Sequence, residues 1–482
     1  MNIRFSPEVT VIHRKTFWKG LASRLPQPAF LGIFSIVFVL ILNAPTPKGL
    51  SLQGQKALAI FALCLLLWVW GKLPLVITSI LAIVLLPLLG VMTPSKTYAL
   101  FGNEAVFFIL GAFILAAALM STGLSSRIAL SIMERAGRTP IQLYVTVYLL
   151  SVTLAIFMSE HAVAAMLFPI VAEIAHALKL KPKQSSYATL LFLAMAWGSS
   201  IGGITTFLGG ARAPLAVGIL KETTGSSISF LSWALAALPI TVTLATLGGL
   251  LLLKFFPIDI DNVVEAQRVL RARNNRLGSI KYGEALVAVI TLATVIAWIV
   301  LGEGYGLASI ALLAVVALFA ANAVRWKEIE ERVSWGIILM YGGAICLGAA
   351  LAETGAAKWL AFISFDGART DKFTLVALFS LASYLLTEFM SNAAVVATLL
   401  PVALPLADSC GVDPRLVVYA VAIPAGLGFA LPMGTPANAI AYSSGYVERK
   451  QMLLPGVIFG LISWAVFNVI SLFLWPILGI TD

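Results

Sequence analysis

The chain has 482 residues, of which 60% are hydrophobic and 11% charged, with a mean hydropathy of +0.98. A soluble domain of that composition would expose far more apolar surface than soluble proteins tolerate, so a soluble protein is excluded and the chain belongs in lipid. The net charge of +10 does not point to nucleic acid, because the basic residues gather in alternate loops, as the positive-inside rule describes.

A basic N-terminus (Arg4, Arg14, Lys15, Lys19, Arg24) leads into an apolar stretch at 29–43 with no small-residue cleavage site behind it, so this segment is expected to remain as a span. Apolar stretches able to cross about 30 Å of hydrocarbon recur at 55–70, 74–91, 104–122, 230–256, 284–302, 305–323, 334–352 and 453–478. In lipid only helices or closed barrels satisfy the backbone, and the chain lacks the even alternation of a barrel. The expected fold is an all-α polytopic membrane protein with about 11 transmembrane helices. With a cytoplasmic N-terminus, the loops around 72, 124–140, 179–184, 254–283, 324–332 and 446–450 share the cytoplasmic face. Together with the N-terminus they carry 23 Lys and Arg, against eight on the other face, and Arg212 alone lies within a membrane segment. That bias predicts a multi-pass protein of the cell (inner) membrane whose C-terminus lies on the outer side.

The run from Gly111 to Gly123 aligns with the run from Gly343 to Gly355 at an offset of 232 residues, and the same offset carries Ser159 onto Ser391 and Pro169 onto Pro401. With the shift reduced to about 224, the Gly- and Pro-rich stretch from Ile201 aligns with that from Ala425. In the expected topology the first glycine run travels outside to inside and the second inside to outside, so the repeats are inverted. Helix breakers at matching membrane depths in two such halves point to a midplane binding site of a secondary transporter. The chain divides into a cytoplasmic N-terminus and first span (1–51), a first repeat (52–257), a basic cytoplasmic linker (258–283) and a second repeat (284–482). Each repeat is expected to hold a re-entrant hairpin, at about 141–178 and 373–408, and a broken helix, at about 185–220 and 415–445.

Four polar places stand out against the apolar surround: Ser159-Glu160-His161, Ser391-Asn392-Ala393, the loop 209–214 with Arg212, and the loop Gly434-Thr435-Pro436-Ala437-Asn438. Hairpin tips meeting near the midplane would bring Ser159 and Ser391 together, where hydroxyls and helix-end amides hold an anion. Ionisable groups at that depth usually serve function, although Glu160 and His161 could cap a helix end and Arg212 could reach the interface from a tilted helix. Glu388, one helical turn before Ser391, is placed to orient it or to hold a backbone amide.

These motifs resemble the divalent anion/sodium symporter family of dicarboxylate, citrate and sulfate carriers, whose hairpin tips carry Ser-Asn-Thr and whose broken helices carry Gly-Thr-Pro-Pro-Asn. The likeness implies that Ser391 and Asn392 touch both cation and substrate, and the four polar places together give the expected substrate contacts Ser159, Glu160, His161, Arg212, Ser391, Asn392, Thr435 and Pro436. It also implies a sodium site at Ser391, Asn392, Gly434 and Asn438, with Ser159 at a second, and a homodimer. The first repeat departs from the pattern, with Ser159-Glu160-His161 in place of Ser-Asn-Thr and Gly210-Ala211-Arg212-Ala213 in place of Thr-Pro-Pro-Asn. Asn392 is followed by Ala393 and not by a hydroxyl. The departures suggest that Arg212, beside Glu160, supplies the positive charge of the first sodium ion. The expected function is sodium-coupled, elevator-type carriage of a small divalent anion, with succinate, malate or sulfate as substrate. The alternative is sodium-independent exchange against a counter-anion, or proton coupling through Glu160 or His161.

Other classes fare worse. Adjacent Ser, Glu and His cannot form a nucleophile, base and orienter, so no enzyme is expected. No Walker-type loop supports primary pumping. A channel needs a continuous polar pore, which repeats with crossed hairpins do not suit. Cys64, Cys346 and Cys410 are too few for a disulfide framework or a four-ligand metal site. No cofactor is expected beyond sodium.

Overall fold

The computed structural model describes residues 27–70, 73–365 and 371–480. The basic N-terminus, Lys72, Arg369 and the last two residues lie outside them. Among the described residues the regular structure is helical throughout, with no strand, as the apolar patterning predicts. Nine helices of the described residues are long and apolar enough to cross a membrane, and five shorter apolar ones accompany them.

In chain order the first half comprises α1 (Gln27–Asn43), α2 (Leu52–Trp70), α3 (Leu75–Leu88), α4 (Pro94–Phe101), α5 (Glu104–Ser121), α6 (Leu124–Ala136), α7 (Pro140–Phe157), α8 (Glu160–Ala177), α9 (Ser186–Gly202), α10 (Arg212–Thr224) and α11 (Phe230–Phe255). After α12 (Val264–Arg276) the second half runs α13 (Tyr282–Tyr305), α14 (Leu307–Ala320), α15 (Trp326–Glu330), α16 (Trp335–Glu353), α17 (Ala356–Phe365), α18 (Lys372–Thr387), α19 (Asn392–Cys410), α20 (Pro414–Ala422), α21 (Pro436–Ser443) and α22 (Arg449–Val469). From α2 to α11 each helix has a counterpart in the second half, in the same order, and α3 and α14, α6 and α17, α7 and α18, and α8 and α19 all start 232 residues apart.

The halves exchange helices. α3 packs along α16 of the second half, and its counterpart α14 packs along α5 of the first. The glycines that mark the sequence repeat sit at these two crossings. A Cβ added at Gly111 would lie 2.6 Å from Ala311 Cβ, and one added at Gly343 would lie 2.5 Å from Ser79 Cβ. Ser79 and Ala311 are themselves 232 residues apart, so one close crossing occurs twice. In lipid no hydrophobic force drives helices together, and small residues that admit close backbone approach supply the packing.

The segment 258–283, expected only as a basic linker, contains the helix α12. Gln267 Nε2 donates to the carbonyls of Met133 and Gly137, while Arg271 reaches Glu134 at 3.3 Å and Arg273 reaches Glu173 at 2.6 Å. The linker is thereby clasped to α6 and α8. Asp259 accepts from the amides of Ser186 and Tyr187 at 2.9 and 3.0 Å, which satisfies the start of α9. Cys64 and Cys346 are buried, Cys410 is half-buried and all three are free thiols.

Four interruptions, two in each half, create the polar interior. α7 ends at Phe157 and α8 begins at Glu160; α18 ends at Thr387 and α19 begins at Asn392. Similarly α9 stops at Gly202 and helix resumes only at Arg212, while α20 gives way to a 3₁₀ turn at Pro424–Gly426 and irregular chain before α21.

Candidate functional site

Each tip is a capped helix start. Ser159 Oγ accepts from the amide of Ala162 at 3.3 Å, and Ser391 Oγ accepts from that of Ala394 at 3.2 Å. The amide of Glu160 donates to the carbonyl of Gly209 at 2.9 Å, tying the first tip to the first interrupted helix. Asn392 Nδ2 donates to Glu160 Oε1 at 2.9 Å. These two residues are 232 apart, so the tips touch through equivalent positions. The Thr387 hydroxyl lies 3.0 Å from Asn392 Oδ1 and 2.6 Å from the Ala425 carbonyl, and its single proton serves one of them at a time.

Arg212 is 2% exposed, so it does not reach out to the interface. Its Nη1 donates to Glu160 Oε2 at 3.3 Å, while Nη2 has no acceptor. Glycines permit this placement, since a Cβ at Gly210 would stand 2.3 Å from Nη1 and one at Gly426 2.3 Å from Cζ. The guanidinium is thus sandwiched between the two interrupted segments, one from each half. A buried charge is tolerated where it is paired, and Glu160 provides that pair.

A cavity of about 880 Å³ gathers Ser159, Glu160, His161, Arg212, Ser391, Asn392, Gly434, Thr435 and Pro436 on its wall. Among the helices that begin there are the four that follow the tips and the interrupted segments, at Glu160, Arg212, Asn392 and Pro436, so the partial positive charges of their N-termini converge with the arginine. The amides of His161, Asn392 and Ala393 make no hydrogen bond. Such a surround favours an anion. Thr435 Oγ1 accepts from the amide of Asn438 and, at 3.3 Å, from Ser200 Oγ, which braces α21 against α9.

Two predicted site residues stand behind the wall. Glu388 accepts from the amides of Phe429, Ala430 and Leu431 at 2.8, 3.0 and 2.9 Å; it holds the second interrupted segment in shape. Asn438 is fully buried, donates from Nδ2 to the carbonyls of Gly428 and Leu431, and leaves Oδ1 without a partner. Among the described residues no cluster of His, Cys, Asp and Glu could hold a metal.

The sequence reasoning missed much of the rest of the wall, including Leu75, Phe113, Ser334, Ile337, Met340, Met433, Tyr442 and Arg449. The apolar members carry no local signal that separates them from core. Arg449 was counted only among the cytoplasmic loop charges.

The family model described as "Sodium:sulfate symporter transmembrane region" matches residues 29–481. The chain belongs to that family. As a sodium:sulfate symporter family member it is a multi-pass membrane transporter and not an enzyme. Similar proteins include the sodium-dependent dicarboxylate transporter SdcS of Staphylococcus saprophyticus, 29% identical over 477 residues and covering 92% of this chain and 91% of the relative. The SdcS of Staphylococcus aureus is 29% identical over 474 residues with the same coverage. Among solved structures, the Alcanivorax borkumensis YdaH transporter superposes with a TM-score of 0.57 at 15% identity, covering 87% of this chain and 100% of that one. Neisseria gonorrhoeae MtrF gives 0.54 at 16% identity, covering 92% and 95%. Likeness at that level concerns the fold alone.

Proposed function

We propose that this family member is a secondary carrier of a small divalent anion, a dicarboxylate such as succinate or malate ahead of sulfate. The observation that carries the reading is the buried Arg212, whose Nη2 has no acceptor, on the wall of a cavity where the helix N-termini of both tips and both interrupted segments converge. A dicarboxylate presents the planar oxygen pair that a guanidinium fork matches, and the SdcS relatives are named for sodium-dependent dicarboxylate transport.

The proposed site holds one end of the anion between Ser391, the free amides of Asn392 and Ala393, and Thr435 and Pro436. Ser159, His161 and Arg212 face the other end, with Glu160 keeping Arg212 in place. Sodium binds at most once, through Ser391, Asn392 and the carbonyls near Gly434, with Asn438 Oδ1 behind them. In this reading the halves are inverted repeats, α7–α8 and α18–α19 are re-entrant hairpins, and both hairpins with the interrupted helices move as an elevator against the other spans. The protein works as a homodimer in the inner membrane with its N-terminus in the cytoplasm.

A second reading is exchange against internal anion. It is favoured by the Glu160 and Arg212 pair at 3.3 Å, which puts a fixed cation where the first repeat would otherwise take sodium. Uptake of radiolabelled succinate and sulfate into proteoliposomes, with and without a sodium gradient and with and without internal substrate, tests both. Sodium-dependent uptake supports the symporter; sodium-independent uptake that requires internal anion supports exchange. Uptake of neither anion under any condition refutes the divalent-anion reading.

A further inference from the structure

The charged side chains on the cavity wall are Glu160, Arg212 and Arg449, with His161 beside them. Glu160 and Arg212 neutralise each other at 3.3 Å. Arg449 is exposed, and no carboxylate of the described residues pairs with it. It therefore supplies the uncompensated charge of the cavity. Its position is unusual for a structural cation, because Arg449 is the first residue of the 21-residue helix α22, where the positive end of the helix dipole opposes a like charge. The carboxylate of Glu448, the N-cap of the same helix, offsets the dipole there without pairing with Arg449, and an anion in the cavity would offset the charge of the arginine itself.

The mouth of the cavity has a side. Leu75, Ser334 and Arg449 all lie on the wall, at or just before the starts of α3, α16 and α22, and each follows a turn that the positive charge count assigns to the cytoplasm. On the opposite side polar contacts join the helix ends. Asn103 Nδ2 donates to Glu222 at 2.5 Å, Lys221 pairs with Glu104 at 2.7 Å and Lys96 pairs with Glu353 at 2.8 Å. Arg449 thus stands between Arg212 and the cytoplasm.

We infer that Arg449 is the cytoplasmic capture residue of the carrier: it binds the dianion at the inner mouth and sets the affinity of that face, while anion arriving from outside meets the Arg212 end first. The inference rests on the carrier reading above. A cation at the mouth of a low-dielectric cleft raises the local concentration of an anion and its rate of arrival, and salt screens the effect over about 8 Å at physiological ionic strength. In an exchanger the same residue would decide how well internal anion competes for the empty site.

The test uses right-side-out and inside-out membrane vesicles carrying the full chain, with labelled succinate and sulfate presented to one face at a time. Arg449→Gln should raise the half-saturating concentration at the cytoplasmic face by about tenfold, flatten its dependence on ionic strength, and leave the outer face unchanged. Arg449→Lys should restore most of the loss. Lys450 is the adjacent exposed cation but is not on the cavity wall, so Lys450→Gln removes the same charge and should change neither face. An equal shift at both faces, a shift of the same size in Lys450→Gln, or no shift in Arg449→Gln overturns the role. Wild-type vesicles that move neither anion from either face would instead overturn the carrier reading and the role of Arg449 with it, a failure told apart by appearing before any substitution.

Discussion

Separating the charges of Glu160 and Arg212 gives the sharpest test of the site. The side chains are 6% and 2% exposed and 3.3 Å apart, so solvent screening does not dilute the pair. Arg212→Ala leaves Glu160 Oε2 bare and Oε1 with only Asn392. Glu160→Ala leaves both Nη atoms of Arg212 without an acceptor. Each change strands a buried charge and should cost about 3–5 kcal/mol of stability. The double variant strands none and loses chiefly the packing of the guanidinium between Gly210 and Gly426, about 1–3 kcal/mol by analogy with other buried truncations. The double variant should therefore be more stable than either single, with a coupling on the order of 5 kcal/mol against simple addition. Thermal midpoints of the four proteins in one detergent, read by loss of the monodisperse elution peak, give the ordering. Additive losses, or a double variant less stable than both singles, would refute the claim that the two charges exist for each other.

Three further outcomes follow from the geometry. Ser391→Ala and Asn392→Ala should each abolish anion uptake while the protein still elutes as a folded species, since each removes a polar group from the site; undiminished uptake in both would remove them from it. Glu388→Gln replaces one acceptor oxygen with a donor facing the amides of Phe429, Ala430 and Leu431, and should lower stability by about 1–3 kcal/mol and impair uptake, whereas an unchanged melting midpoint would contradict its bracing role. Lys221 and Glu104 are 50% and 37% exposed, so Lys221→Gln should cost at most about 1 kcal/mol. Combined with Glu222→Gln it should nevertheless raise the labelling of a Ser391→Cys variant by an impermeant thiol reagent from outside, and unchanged labelling would show that these contacts do not hold the outer face closed.

Much of the fold was legible because lipid leaves the backbone so few options. The stretch predicted at 230–256 is α11 at 230–255, and that at 334–352 is α16 at 335–353. The offset of 232 was also visible, because Gly111 and Gly343 must stay small. What they make room for was not, since Ala311 and Ser79 lie in the opposite halves and no local pattern announces an exchange. In the site, Ser159, Glu160, Arg212, Ser391 and Asn392 stood out as polar residues in apolar runs. The bond from Asn392 to Glu160 was hidden behind the expectation that the two serines would meet. For Glu388 the spacing left open whether it orients Ser391 or holds a backbone amide, and only the fold brings it the three amides, some forty residues on, that decide for the second. Arg449 gave no signal at all, being one basic residue among many at a helix start.

The exchanged helices also put a clock on biogenesis. α5 emerges from the ribosome with the groove at Gly111 empty, and the residue that fills it, Ala311, is made 200 positions later. At about 5–20 residues per second the first half must wait roughly 10–40 s in the bilayer with an unfilled seam, and α3 waits longer still, since Gly343 is made 264 positions after Ser79. Neither half can complete its own packing, so the molecule closes only when the second half arrives, and whatever shields those seams in the interval governs how much of the chain reaches its native state.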